Sequence, residues 1–280
     1  MTLKTAEDFT RFQARVANEL MTHRVIHDNK YTAWFAQGDI NLKQAQHFAQ
    51  QFSVFSNLFI IAQLKKVINS ESLEEMHRAK EILMNELGVV FNRKNLESEE
   101  SKSNRAANAE SEGDPTYVNA EGTIEGGTFR FRAAHFEWLL DFAKPLGLGF
   151  NDMGKRKHGT KSTTHFTDAL ENIYASTEFS EAAGASYAVE NWAAAGFWKE
   201  LIAGLKKFKE KHNIKLPISF FTWHDKVEDQ HAAHTQEELK EIFFYSEFND
   251  DQFITAGKAM LDACAVFWDG LEEDRKKVAA

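Results

Sequence analysis

The sequence predicts an all-α protein built as a single helical domain over residues 1-280, and three observations carry that expectation. Proline is confined to Pro115, Pro145 and Pro217, so long stretches lack the residue that most often ends a helix. Those stretches show no period-2 alternation, which leaves little room for a sheet. Phenylalanine occurs 24 times, so the helices pack through aromatic side chains. With 280 residues, 43% hydrophobic and 27% charged, the chain can bury a large core.

The elements follow in order. Thr5 or Asp8 caps a first helix to about Arg24, with Phe9, Phe12, Val16 and Leu20 on one face. A short helix covers Asn29 to Ala36 and stops at Gly38. Asp39-Ile40-Asn41 starts a long helix through Phe48, Phe52, Phe55 and Phe59 to Lys66. Its apolar positions surround the axis, so it is central. Ser70 opens another, through Met76, Ile82 and Leu83, ending near Gly88. Residues 92-128 are rich in Glu, Ser, Asn and Gly and read as a mobile insertion within the domain. Helical periodicity resumes from Phe129 to Leu146, followed by a basic loop, Gly154-Lys155-Arg156-Lys157-His158. Thr163 to Ala175 is a short helix, and Glu178 to His212 a long one, mildly weakened at Gly184 and Gly196. Pro217 starts the next, which continues through His231; Thr235 caps another, and Asn249 to about Lys277 closes the chain.

Charge and cysteine content exclude several classes. A net charge of −9 repels nucleic acid and anionic membranes, so neither is an expected partner. The single Cys264 rules out an internal disulfide and a cysteine-cluster zinc site, and fits a reducing cytoplasm. The N-terminus carries no signal-peptide pattern, and the most apolar run, Leu58 to Leu64, is too short to span a bilayer. The expected location is cytoplasmic.

The informative segment is His224-Asp225-Lys226-Val227-Glu228-Asp229-Gln230-His231. At about 100° per residue, His224, Glu228 and His231 fall within about 40° of one line on a helix. The preceding Ile218-Ser219-Phe220-Phe221-Thr222-Trp223 is apolar, which turns that line inward. Two imidazoles and a carboxylate in a buried place suit Fe, Mn or Zn. A solvated polar helix is the plain alternative, because Asp225, Lys226, Asp229 and Gln230 are polar too. Metal binding therefore needs further ligands on other helices. Glu86 shares its side with Ile82 and Leu83, His135 lies one turn from Phe131 and Trp138, and Glu190 shares its side with Tyr187 and Ala194. Glu81 and Glu137 are alternative carboxylates. An inward His is usually a hydrogen-bonded core residue and an inward Glu a salt-bridge partner. Several of each in one bundle favour a shared metal site, since buried charges must be paired or ligated.

The order Glu86, His135, Glu190, then His-x3-Glu-x2-His at 224, 228 and 231, resembles the heme-oxygenase-like diiron oxidases. The neighbourhoods Gly38-Asp39-Ile40, Asn85-Glu86-Leu87-Gly88, Tyr187-x2-Glu190 and Phe220-Phe221-Thr222-Trp223-His224 are similar to that family as well. The resemblance covers essentially the whole chain. It departs from the family at Glu228, where Asp is commoner, and at the insertion. It implies a heme-oxygenase-like bundle of seven to eight helices, of the thiaminase II and pyrroloquinoline-quinone-synthase type. It further implies two Fe(II) ions on those six residues, O2 as co-substrate and no heme. The implied reaction oxidises a small amine-, amino-acid- or carboxylate-bearing metabolite by N-oxygenation, C–C cleavage or decarboxylation. An external electron donor and a homodimer are further expectations, and the insertion stands where a lid would be. Phe52, Phe55, Phe59, Trp138 and Trp192 are candidate pocket residues, and the loop with Lys155, Arg156, Lys157 and Lys161 could attract an anion.

The rival readings are a thiaminase using Cys264, a metal-free quinone-synthase-like enzyme, a heme protein using His23 or His27, and a helical binding protein without catalysis.

Overall fold

The structure is a computed structural model that describes residues 4–92, 118–124, 127–132 and 134–278; the side chains of 90–132 and 227–234 lie outside the described set. Helix α1 (Ala6–Glu19) begins at a reciprocal cap. The Thr5 hydroxyl accepts from the Asp8 amide at 3.2 Å, and the Asp8 carboxylate accepts from the Thr5 amide at 2.8 Å. It buries Phe9, Phe12 and Val16. The chain then turns, so α2 (Arg24–His27) is a separate short piece, and α3 (Lys30–Phe35) follows with Asn29 as its cap. Helix α4 (Leu42–Asn69) buries residues around its circumference, from Phe48 and Phe52 to Gln51 and Gln63, and forms the central post. Helix α5 (Leu73–Glu86) packs beside it.

The bundle is all-α, and a small sheet is set into it after α5. Strands β1 (Val89–Asn92), β2 (Val118–Ile124) and β3 (Gly127–Arg132) pair antiparallel in the order β1-β3-β2, with Val89 opposite Phe131. The helix expected from Phe129 therefore starts only at α6 (His135–Ala143). The reason is legible in hindsight: Thr128-Phe129-Arg130-Phe131-Arg132 alternates aromatic with polar residues, a two-residue period in β-favouring types. The rest of the insertion, 93–117 and 125–126, lies outside the described residues, and the expected lid falls there.

Helix α7 (Lys161–Ala169) is capped by Thr160 and runs into a π-turn, Leu170–Tyr174. The expected single helix from Glu178 to His212 is two, α8 (Phe179–Ala193) and α9 (Phe197–His212). They are parted at Gly196, whose φ of 98° is a conformation that favours glycine. Gly184 is not a weak point. A Cβ there would collide with the Phe253 carbonyl, so its bareness is what lets α8 cross the last helix, α11 (Asp250–Val278), at close range. Helix α10 (Ser219–Ile242) is continuous where two helices were expected. Thr235 is no cap; it is buried in mid-helix, and its hydroxyl accepts from the Asn191 amide at 3.1 Å. Among the described residues, no helix is long and apolar enough to cross a membrane.

Candidate metal centre

Three of the six predicted ligands converge. Glu86 closes α5, His135 opens α6, and His224 lies six residues into α10. One ligand atom from each falls within 4.8 Å of the others. Glu86 and His135 are 8% and 5% exposed, and His224 is half-buried. His135 Nδ1 lies 2.9 Å from Glu86 Oε2. With metal–ligand bonds of about 2.1 Å, two donors on one ion lie about 3.0 Å apart at right angles and about 4.2 Å apart when opposite. The Glu86–His135 spacing therefore serves equally as a hydrogen bond or as two adjacent ligands. The outer bound of the cluster is about half an ångström beyond one ion's reach, a gap that a modest side-chain rotation closes.

Tautomer follows from the partners. His224 Nδ1 is 2.7 Å from the Phe220 carbonyl, one turn earlier on the same helix. A carbonyl can only accept, so Nδ1 carries a proton and Nε2 is the ring atom that would ligate. Where the His135–Glu86 contact is a hydrogen bond, His135 Nδ1 donates to the carboxylate, which can only accept. The two imidazoles sit in aromatic surroundings. The His224 ring stacks on Trp198 at 4.7 Å and 23°, and His135 meets Trp223 edge-on at 5.0 Å. The two His ring centroids are 4.8 Å apart. Such packing fixes both rings before any ligand arrives.

These groups open onto a cavity of about 100 Å³, walled by Phe52, Phe55, Phe59, Trp192, Trp198 and Phe220 and by Glu190 of α8. Glu190 is thus brought to the same chamber on a fourth helix. Its negative charge also acts on Lys66. Burial pulls the Lys66 ammonium down, but Tyr174, Glu238, Glu190 and Glu75 together outweigh it and hold it above the usual lysine value. The donor set of two imidazoles with carboxylates fits Fe, Mn or Zn.

Glu228 and His231 fall on the backbone of α10, but their side chains, with those of Asp229 and His234, lie outside the described residues. The alternative carboxylates are turned to other surroundings. Glu81 is exposed, and Glu137 accepts from the Ala134 amide at 2.6 Å, capping the helix that carries His135. Of the expected pocket residues, Trp138 packs against His135 at 5.7 Å and is absent from the described cavity wall. Trp198, Trp223 and Phe220 were missed. Phe220 and Trp223, at four and one residues before His224, could have been found from helical spacing; Trp198, on α9, could not.

The basic loop is a surface structure. Arg156 is bound by Asp168 at 2.6 and 2.8 Å, and Lys155 lies over the Phe150 ring at 4.8 Å. Neither belongs to the described cavity wall. Cys264 is buried, and burial pushes its thiol well above the usual value, the opposite of an activated nucleophile. His23 pairs with Asp262 at 3.1 Å, and His27 Nε2 lies 2.6 Å from the Met21 carbonyl.

No protein-family model and no curated protein matches the chain. Solved structures do. A domain of unknown function with a heme oxygenase-like fold from Shewanella denitrificans aligns over 97% of this chain and 95% of its own, at 15% identity and a TM-score of 0.59. A CADD-like protein of unknown function from Nostoc punctiforme aligns over 98% and 99%, at 15% identity and 0.59. The fold is heme-oxygenase-like.

Proposed function

We propose that this chain is a non-heme diiron enzyme that uses O2 to oxidise a small amine-, amino-acid- or carboxylate-bearing metabolite. The observation that carries this reading is the meeting of Glu86, His135 and His224, from three separate helices, in an aromatic cavity that Glu190 also walls. Buried carboxylate and imidazole groups from distant parts of a chain are seldom gathered for packing alone. Glu228 and His231 complete the proposed set, about one and about two turns further along the helix of His224.

Glu86, His135, Glu190, His224, Glu228 and His231 would hold two ferrous ions, which when bound would supply electrons for O2 chemistry, an external donor re-reducing them. The chain's own residues do the rest. Phe220 fixes the His224 tautomer through its carbonyl, and Glu86 orients His135. The rings of Phe52, Phe55, Trp192 and Trp198 exclude bulk water and hold the apolar part of the substrate. The heme-oxygenase-like fold supports the reading by analogy only. A cytoplasmic location and a homodimer belong to the same proposal.

The test is anaerobic reconstitution with Fe(II), then exposure to O2. The expected result is about two irons per chain, as in other paired-carboxylate bundles, and a transient visible absorption on oxygenation. His224→Ala and Glu190→Ala should each lose iron with the circular dichroism unchanged. Stoichiometric iron retained by both variants would falsify the assignment.

A further inference from the structure

Two polar side chains outside the candidate ligand set wall the aromatic cavity, Ser56 of α4 and Asn85 of α5. Asn85 is exposed, so water satisfies its amide. Ser56 is only 8% exposed. Phe52, Phe55, Ser56 and Phe59 all line the chamber and span about 100° of the helix, so one hydroxyl interrupts an otherwise aromatic face.

That hydroxyl is unused. A serine on a helix commonly returns its proton to a carbonyl three or four residues earlier. Ser53 does so to Gln50 at 2.7 Å, and Ser70 to Lys66 at 2.8 Å. Ser56 makes no such bond, nor any other with the described residues. Other unpartnered groups of the wall are out of reach. The indole N–H groups of Trp192 and Trp198 are fully enclosed, so no occupant meets them. Ser56 Oγ keeps accessible surface, and the space it opens on is the cavity that it walls.

A hydroxyl shut among aromatic rings is unfavourable until something bonds it. It can donate and accept, and the described wall includes no Lys or Arg. Its complement is therefore a neutral substituent such as a hydroxyl, amine or carbonyl. The chamber of about 100 Å³ is smaller than the cavity of about 150 Å³ that takes benzene, so the enclosed part of an occupant is no larger than a five-membered ring.

We propose that Ser56 is a specificity-determining residue, whose hydroxyl binds a neutral hydrogen-bonding substituent on an otherwise apolar substrate and so orients it against the candidate centre. Calling the occupant a substrate rests on the proposed function; the hydrogen bond itself does not.

Pyrrole and furan test it, because they are near-isosteric rings of which only pyrrole carries an N–H donor. Both are titrated anaerobically into the full-length chain after Fe(II) reconstitution, and into Ser56→Ala treated alike. Binding is read from the fluorescence of the wall tryptophans, and iron content is measured on the same samples. Pyrrole should bind the wild type, and Ser56→Ala should weaken it about three- to tenfold while leaving furan within about twofold. Pyrrole weakened no more than furan, or no pyrrole binding by the wild type, means that the hydroxyl bonds only water and overturns the proposal. Loss of iron in Ser56→Ala overturns it too, since Ser56 then supports the ligand set and does not select the occupant. If the pyrrole contrast holds in a chain that retains no iron, the metal assignment fails and the contact at Ser56 stands.

Discussion

Two chambers meet along helix α8, and they handle charge in opposite ways. One, walled by Lys66, Ser72, Glu75, Arg78, Ser186 and Glu238, mixes both signs. Arg78 reaches Glu74 at 3.3 Å and Glu238 at 3.5 Å, and Lys66 donates to Ser186 at 2.7 Å. The other holds Glu86, His135, Glu190 and His224 among aromatic rings, and its described wall includes no Lys or Arg. Charge in the first chamber is settled by side chains of the protein itself. In the second, two carboxylates and two imidazoles that can stay neutral gather where a cation is the natural complement. Glu190 stands between the two, near enough to Lys66 to help raise its pKa while lining the aromatic cavity. The contrast separates a charge cluster paired within the bundle from one that, on the proposed reading, takes a metal.

The comparison can be broken most directly at Glu86. Glu86→Gln keeps the shape and an acceptor oxygen but removes the negative charge. Iron affinity should fall by at least roughly 10- to 100-fold, the scale seen even for groups that only position metal ligands, because Glu86 belongs to the proposed ligand set. Glu137→Gln keeps an acceptor for the Ala134 amide and should leave iron affinity unchanged. Chelator competition with Fe(II) under anaerobic conditions reads both. Equal losses in the two variants would erase the distinction drawn between these carboxylates.

Lys66→Met tests the other chamber. Removing the ammonium leaves Ser186 and the facing acids without it, and stability should drop by about 1–3 kcal/mol. The sign of the pH dependence follows from the raised Lys66 pKa. Its stabilisation is fully present below the usual lysine value of 10.5 and is lost as pH climbs through the higher folded value. The wild type should therefore lose stability to the variant only on the alkaline side, as urea melts at pH 8 and above 10.5 would show. A variant as stable as the wild type at pH 8 would mean that this chamber's charges are idle.

The smallest effect is expected from the basic loop. Arg156 and Asp168 are about half exposed, and such pairs contribute less than about 1 kcal/mol. Arg156→Gln should leave the melting temperature within about 2–4 °C of the wild type and iron binding unaltered. A large loss of iron there would place the loop in the site after all.

Much of this was open to reading along the chain. Thr5, Asn41 and Thr160 announce helix starts because a short oxygen-bearing side chain satisfies free amides at a fixed offset. The inward line of His224 follows from helical spacing and the apolar turn before it. Other features defeated local reasoning. Gly184 looks like a flaw until α11 is seen crossing it, and Gly196 looks no different although it ends a helix. The strands at 89–92 and 127–132 become regular by pairing with each other across the insertion, a contact that no local window contains.

By itself, then, the sequence determined the helical bundle, the inward side of Glu86, His135 and His224 and the class of metal that such residue types suit. These depend on periodicity and side-chain chemistry, which are local properties. Only the tertiary structure decided that Glu86, and neither Glu81 nor Glu137, stands beside His135. It alone placed Trp198 against His224. Those choices depend on how residues far apart in the chain pack in three dimensions, and spacing along one helix carries no trace of its neighbours.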